Sequence, residues 1–238
     1  MTTKDTAWQV ISEQPLLLRL EYNFSGGLAN ATALEIDTGK LLLISPPMGI
    51  EGAYEALRQH GEVVAICELN GAHYMGLEGA RAAFPFARAF ASAIASERIR
   101  NKAQNPGEIE SIELFRQLVG DRLEIVEVSG HKIGDILLRA QTDKGLAWWV
   151  GDVVGNAPMP ANLLFKMLMK WTDSGPGFKI NRLFLKFFAQ DKVAMKTFFL
   201  EQLASHPMDV FIPAHGEPIV RQGLGAELTK MFESAVKG

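Results

Sequence analysis

The sequence predicts an α+β protein of four layers, αββα, in which two mixed β-sheets pack face to face with helices on the outside. Three observations predict it: strand-like runs crowd the first 67 residues, a second block of strands lies between residues 122 and 150, and helical segments separate the blocks and close the chain. With 238 residues, 47% hydrophobic and 21% charged, the chain can bury a substantial core. It carries no fixed-period repeat and no low-complexity tract, so residues 1–238 read as one domain with a helical insert at about 160–205.

Residues 16–22, 31–36 and 40–44 are short apolar or alternating runs, with Gly26-Gly27 and Thr38-Gly39 as the turns between them. Residues 51–60 have helical composition, with Tyr54 and Leu57 on one side and Gly61 just past the end. Residues 63–67 form a continuous apolar run, the pattern of a strand buried on both faces. After a loop at 70–74, residues 77–83 read as a short helix that Pro85 ends, and residues 91–118 as a more polar helical stretch broken near Asn105-Pro106-Gly107. Strands follow at 122–128, 135–141 and 146–150, the last two joined by the turn Asp143-Lys144-Gly145. The insert is helical apart from a break at Asp173-Ser174-Gly175-Pro176-Gly177, and a strand at 209–212 and a helix at about 226–236 complete the order.

Charge and composition exclude several classes. A net charge of −3 gives no global attraction to polyanions, and no nucleic-acid partner is expected. A lone cysteine, Cys67, cannot form an internal disulfide. The first six residues lack a basic start with an apolar run, and no apolar stretch reaches the roughly 18–20 residues that span a bilayer. A cytoplasmic protein without a membrane span is therefore expected.

Of five histidines, three fall in loops directly after predicted strands: His73 after 63–67, His131 after 122–128 and His215 after 209–212. Asp152 occupies the same position after 146–150. Each alone reads equally as a turn or a solvated side chain. Together, imidazoles and a carboxylate presented by separate strand-end loops are what a zinc-like or iron-like ion requires.

Four segments resemble the metallo-β-lactamase superfamily. Ser129-Gly130-His131-Lys132-Ile133-Gly134-Asp135 resembles its Gly-His-Thr-Pro-Gly-Ser segment, and Trp149-Val150-Gly151-Asp152 its strand ending in Gly-Asp. Ile212-Pro213-Ala214-His215-Gly216-Glu217-Pro218 is similar to the closing Pro-Gly-His-Gly-x-Pro, and residues 30–36 with 41–44 resemble the opening strand pair. The H-x-H-x-D-H signature is degenerate: with His73 as its last histidine, its other ligand positions carry Glu68, Asn70 and Ala72. Ser45-Pro46-Pro47 also stands where the family has Asp-x-Gly.

The resemblance implies at most one metal ion, zinc, iron or manganese, held by His73, Asp152 and His215 with His131 adjacent, or no metal at all. It implies hydrolysis of an ester, thioester or phosphoester of an unidentified small molecule through a metal-bound water, with Glu68 as the candidate base and Asn70 and Ala72 as vestigial positions. The alternative is a catalytically inactive relative acting as a ligand- or protein-binding module. The two differ in metal content.

Residues 163–196 hold Lys166, Lys170, Lys179, Arg182, Lys186, Lys192 and Lys196 against Asp173 and Asp191, a local net of +5, among several aromatics. This segment reads as helices covering a sheet edge, as a cap recruiting an anionic or apolar ligand, or as a homodimer surface. Ser45 and Ser129 lack the context of a nucleophile elbow, Gly175-Pro176-Gly177 is no phosphate loop, and Cys67 is read as inert packing.

Overall fold

A computed structural model describes residues 7–24, 27–159 and 162–235, with Phe165 described by its backbone alone. The Gly26 half of the expected Gly26-Gly27 turn, the first six residues and the last residue of the expected closing helix lie outside that range.

The first sheet has six strands in sequential order: β1 (Gln9–Glu13), β2 (Leu16–Phe24), β3 (Gly27–Asp37), β4 (Lys40–Ile44), β5 (Glu62–Cys67) and β6 (Arg88–Phe90). β1 to β4 pair antiparallel, whereas β4, β5 and β6 run parallel. Helices α1 (Glu51–Arg58) and α2 (Leu77–Ala83) make the parallel crossovers. Helices α3 (Ala93–Lys102) and α4 (Ile112–Val119) then lead to the second sheet, each started by a serine that accepts a backbone N–H: Ser92 from Ala95 and Ser111 from Leu114.

The second sheet is ordered β13-β12-β9-β8-β7, from β7 (Glu124–Glu127), β8 (Ile136–Thr142), β9 (Gly145–Trp149), β12 (Val210–Ile212) and β13 (Ile219–Val220). It too is mixed, since β9 and β12 run parallel while the other neighbours are antiparallel. Between β9 and β12 lie β10 (Val154–Ala157), α5 (Leu163–Trp171), β11 (Gly177–Ile180), α6 (Arg182–Phe188) and α7 (Lys192–Ser205), and α8 (Leu224–Ala235) ends the chain.

Alternation along the strands explains the layering. In β4, Leu42 and Ile44 face the space between the sheets, while Leu41 and Leu43 face α1 and α2. In β9, Ala147 and Trp149 enter the same inter-sheet core, whereas Trp148 turns to the side covered by α6, α7 and α8. Val210 and Ile212 against Phe211 repeat the pattern in β12. The Trp149 indole N–H donates to Thr32 Oγ1 at 2.9 Å, so the core carries a polar tie from sheet to sheet.

Two features depart from the expected elements. The break at 173–177 leads into a strand rather than straight into helix, and β11 pairs with β10 as a separate two-stranded ribbon. The edge strands β1 and β6 were also not expected; Gln9–Glu13 is largely polar and Arg88–Phe90 is only three residues long. Among the described residues, no helix is long and apolar enough to cross a membrane.

Candidate functional site

Parallel pairs β4/β5 and β9/β12 end on the same side of the sandwich, and the loops leaving them converge there. Ser45 follows β4, Glu68, Asn70 and His73 follow β5, Asp152 follows β9, and His215 follows β12, while the 128–135 loop brings in His131 and Asp135.

Asp152 is the centre. His73 Nε2 lies 3.0 Å from its Oδ2 and His215 Nε2 lies 3.1 Å from its Oδ1. The other nitrogen of each ring is also engaged: His73 Nδ1 lies 2.9 Å from Ser45 Oγ, and His215 Nδ1–H donates to the Leu28 carbonyl at 2.7 Å. The Leu28 contact fixes the His215 tautomer, so Nε2 turns toward the carboxylate as either a proton donor or a bare lone pair. Burial alone would raise the Asp152 pKa, but the charge of His73 and the hydrogen bond of His215 outweigh it and hold the carboxyl well below its ordinary range. Burial opposes protonation of His215, yet its contact with Asp152 raises the imidazole pKa. Asp152 Oδ1 nevertheless accepts no well-aligned hydrogen bond.

Asn70, fully buried, spans two carboxyl groups: its amide donates to Asp135 Oδ1 at 2.8 Å and to Asp152 Oδ2 at 3.2 Å, while its own oxygen accepts the Ala72 N–H at 2.8 Å. A neutral amide thus stands where a cation would otherwise screen two acidic groups. Asp135 is pushed well up by burial and then by the nearby Asp152 charge. His131 lies deeper, its Nδ1 accepting from the Ile133 and Asp135 backbone N–H groups at 3.4 and 3.3 Å. Its Nε2 is 3.8 Å from Asp135 Oδ2 and hydrogen-bonds nothing, and burial lowers its pKa to about 4. The expected adjacency of His131 therefore becomes a neutral ring stacked on Phe184, 5.4 Å away.

Glu68 is buried with no hydrogen-bond partner on either oxygen, and burial pushes its pKa well up against the pull of Arg81. It makes no hydrogen bond to His73, Asp152 or His215, and it does not line the cavity below. Ala72 does line that cavity.

The backbone is shaped for these contacts. Gly151 has φ +51°, and a Cβ there would fall 2.8 Å from Asp135 Cγ, so only glycine lets Asp152 and Asp135 come together. The loop carrying His215 is pinned by Asn30, whose amide donates to the Pro213 and Gly216 carbonyls at 2.8 and 2.6 Å. Arg19, 2% exposed, donates to Asn30 Oδ1 and pairs with Glu21 and Glu217.

Above the Asp152–His215 pair opens a cavity of about 590 Å³, walled by Phe24, Leu28, Val154, Met169, Leu183 and Phe184 among others. The side chains of Asp152 and His215 are its ionisable groups. Sequence reasoning placed His73, Asp152 and His215 in the cluster; it passed over Asp135, Asn30, Arg19 and the role of Ser45. A carboxylate four residues after His131, behind Gly134, was the available signal for Asp135.

Two imidazoles and a carboxylate are chemically a set for zinc, iron or manganese. As arranged, the residues do not fit one: His73 Nε2 and the Asn70 amide share Asp152 Oδ2, and among the described residues no group of three or more His, Cys, Asp or Glu side chains is disposed to hold a metal ion.

Solved structures share this architecture. The flavodiiron core of Flv1 from Synechocystis sp. PCC6803 superimposes with a TM-score of 0.65 at 15% identity over 97% of this chain, which spans 60% of that one. A putative diflavin flavoprotein A 5 fragment from Nostoc sp. PCC 7120 gives 0.65 at 15% identity, covering 97% and 95% of the two chains. The metallo-β-lactamase FIM-1 from Pseudomonas aeruginosa, solved in a mono-zinc form, gives 0.62 at 13% identity, covering 96% and 95%. No protein-family model and no curated protein matches the sequence. The chain has the metallo-β-lactamase fold.

Proposed function

We propose that this chain is a ligand-binding relative of the metallo-hydrolases, taking into its cavity an apolar molecule that ends in one hydrogen-bond donor, such as a hydroxyl or an amine. The observation that carries the reading is the state of the two imidazoles: both nitrogens of His73 and both of His215 already face a partner. Neither turns an unengaged nitrogen toward a water in the cavity, and His73 Nδ1 faces the Ser45 hydroxyl instead. Asp152 Oδ1, buried just behind the cavity floor and 3.1 Å from His215 Nε2, has no well-aligned hydrogen bond, and the cavity walls are mostly carbon. A donor on the ligand completes it.

Displacement of an environment-sensitive apolar dye by long-chain alcohols and by the matching methyl ethers tests this. The alcohol binds about tenfold more tightly, the effect of one hydrogen bond, and Leu183→Trp, which fills the cavity, abolishes both. Equal affinity of alcohol and ether in the parent would remove Asp152 from the account.

A second reading, a hydrolase with one metal ion, is favoured by the fixed His215 tautomer, since metal-binding histidines donate their other N–H to a carbonyl or carboxylate. Elemental analysis of protein purified without chelator or affinity tag separates the two. About one equivalent of metal, lost in His73→Ala/His215→Ala, supports the second reading, and no metal after supplementation supports the first.

A further inference from the structure

Helix α5 turns its apolar side to solvent. Leu163, Met167, Trp171 and Leu164 are 71, 61, 79 and 79% exposed, and at 100° per residue they fall within an arc of roughly 100°. Met169, on the opposite side, is buried and lines the cavity. Phe187 of α6, 58% exposed, stands at the cavity rim as well as on the surface. A core-facing amphipathic helix would show the reverse pattern.

The charge around this face says what covers it. Lys166 and Lys170 run along one edge of the apolar stripe on α5, and Lys186 lies beside Phe187 on α6. None of the three takes part in an ion pair among the described residues, while Asp173 is engaged by Lys179 and Arg182. A two-fold contact between copies of this chain would bring the same lysines toward one another, which disfavours it. An apolar stripe with tryptophan, edged by unpaired lysines, matches an anionic lipid surface, where carbon enters the acyl boundary and ammonium groups meet phosphate.

We propose that α5, with the exposed tip of α6, docks on anionic membrane surfaces and sets the rim of the cavity against the bilayer. This goes beyond the proposed ligand binding and stands independently of it, because the docking face is the outer side of α5 and not the cavity.

The test uses the purified full chain with vesicles of phosphatidylcholine containing phosphatidylglycerol, and of phosphatidylcholine alone. Trp148 and Trp149 are buried and the Trp8 N–H is bonded to the Ala53 carbonyl, so a fluorescence change on binding reports Trp171. The parent is expected to co-sediment with the anionic vesicles, with a blue shift that Trp171→Ala removes. Leu164→Asp/Met167→Asp lowers binding about tenfold or more, and Lys166→Gln/Lys170→Gln/Lys186→Gln lowers it by roughly tenfold to a hundredfold. These positions are exposed apart from the half-buried Lys166, and an unchanged circular dichroism spectrum certifies folding of each variant. Failure of the parent to bind either vesicle overturns the proposal, as does binding that the Leu164/Met167 variant leaves intact. A parent that is dimeric in solution and made monomeric by that variant also overturns it, since a second copy then covers the face. Dye displacement from the cavity is measured without lipid, so failure there leaves this result standing.

Discussion

Replacing Asn70 by alanine tests whether an amide holds the two acidic groups together. The substitution removes three buried hydrogen bonds: one to the Asp152 carboxylate, one to the Asp135 carboxyl and one from the Ala72 N–H. A hydrogen bond to a charged group contributes about 1.5–3 kcal/mol and a neutral one about 1 kcal/mol, so the loss is about 3–5 kcal/mol. With a urea m-value of about 2–3 kcal/mol/M for a chain of this size, the denaturation midpoint falls by about 1–2 M at constant m. Urea unfolding followed by circular dichroism at neutral pH reads it directly. Asn70→Asp is the sharper companion: a third carboxyl group crowds Asp135 and Asp152, and its stability falls below that of Asn70→Ala in chelator. Added Mn²⁺ restores it, because a cation now replaces the lost amide. A midpoint for Asn70→Ala within about 0.3 M of the parent, well under the shift worked out above, would refute the reasoning.

Gly151→Ala forces a left-handed φ on a residue with a side chain, about 1–2 kcal/mol, and drives its Cβ into the Asp135 carboxyl, about 1–3 kcal/mol more; thermal unfolding drops by about 5–15 °C. Arg19→Met strands Asn30 Oδ1 and releases the loop that carries His215. Its exposed partner Glu217 contributes little, so the expected cost is about 3 kcal/mol, read as a fall of about 6–12 °C in Tm. The pH profile follows from the folded pKa values. Glu68 is raised, so its stabilisation is complete below the unfolded glutamate pKa and is lost as pH rises through its folded value. Glu68→Gln therefore flattens the decline in denaturation midpoint that sets in as pH rises above the ordinary glutamate range, and an identical slope in parent and variant counts against a raised Glu68 pKa. His131 is lowered to about 4, so its contribution is present above the unfolded histidine pKa and is lost as pH falls toward 4. Asp152, also lowered, loses its contribution as acid protonates it, and His131→Phe removes only the histidine part of the acid limb.

The parts of this fold that were legible in sequence are those where side-chain period and chain punctuation agree. Residues 40–44 and 63–67 read as strands because nearly every position is apolar, and Leu41 to Ile44 do face two different cores. His73, Asp152 and His215 were legible because each follows such a strand within a few residues. The ribbon of β10 and β11 was not, since Val154-Gly155-Asn156-Ala157 has a single β-branched residue followed by three small or polar ones, and its partner lies twenty residues away beyond a helix. Asn70 was legible only as a poor metal ligand. Its role depends on Asp135, which sequence patterning assigns to the start of a strand, and only the folded chain brings that carboxyl within 2.8 Å of the amide. Arg19 reads as one residue of an alternating strand; its importance arises through Asn30, which holds the Pro213 and Gly216 carbonyls nearly 200 residues further along the chain.

The β10–β11 ribbon belongs to neither large sheet, yet Val154, Gly155, Ala157 and Gly177 form one wall of the cavity. Two strands alone are marginally stable in water. Amide hydrogens in this ribbon are expected to exchange with solvent faster than those of Leu42, Leu43 and Ile66 in the first sheet, although Val154 and Ile180 anchor the ribbon in a core. Asn156 also ties the ribbon to the His215 loop through the His215 and Glu217 carbonyls, so the cavity wall and the loop bearing the imidazole at its floor are joined by direct hydrogen bonds.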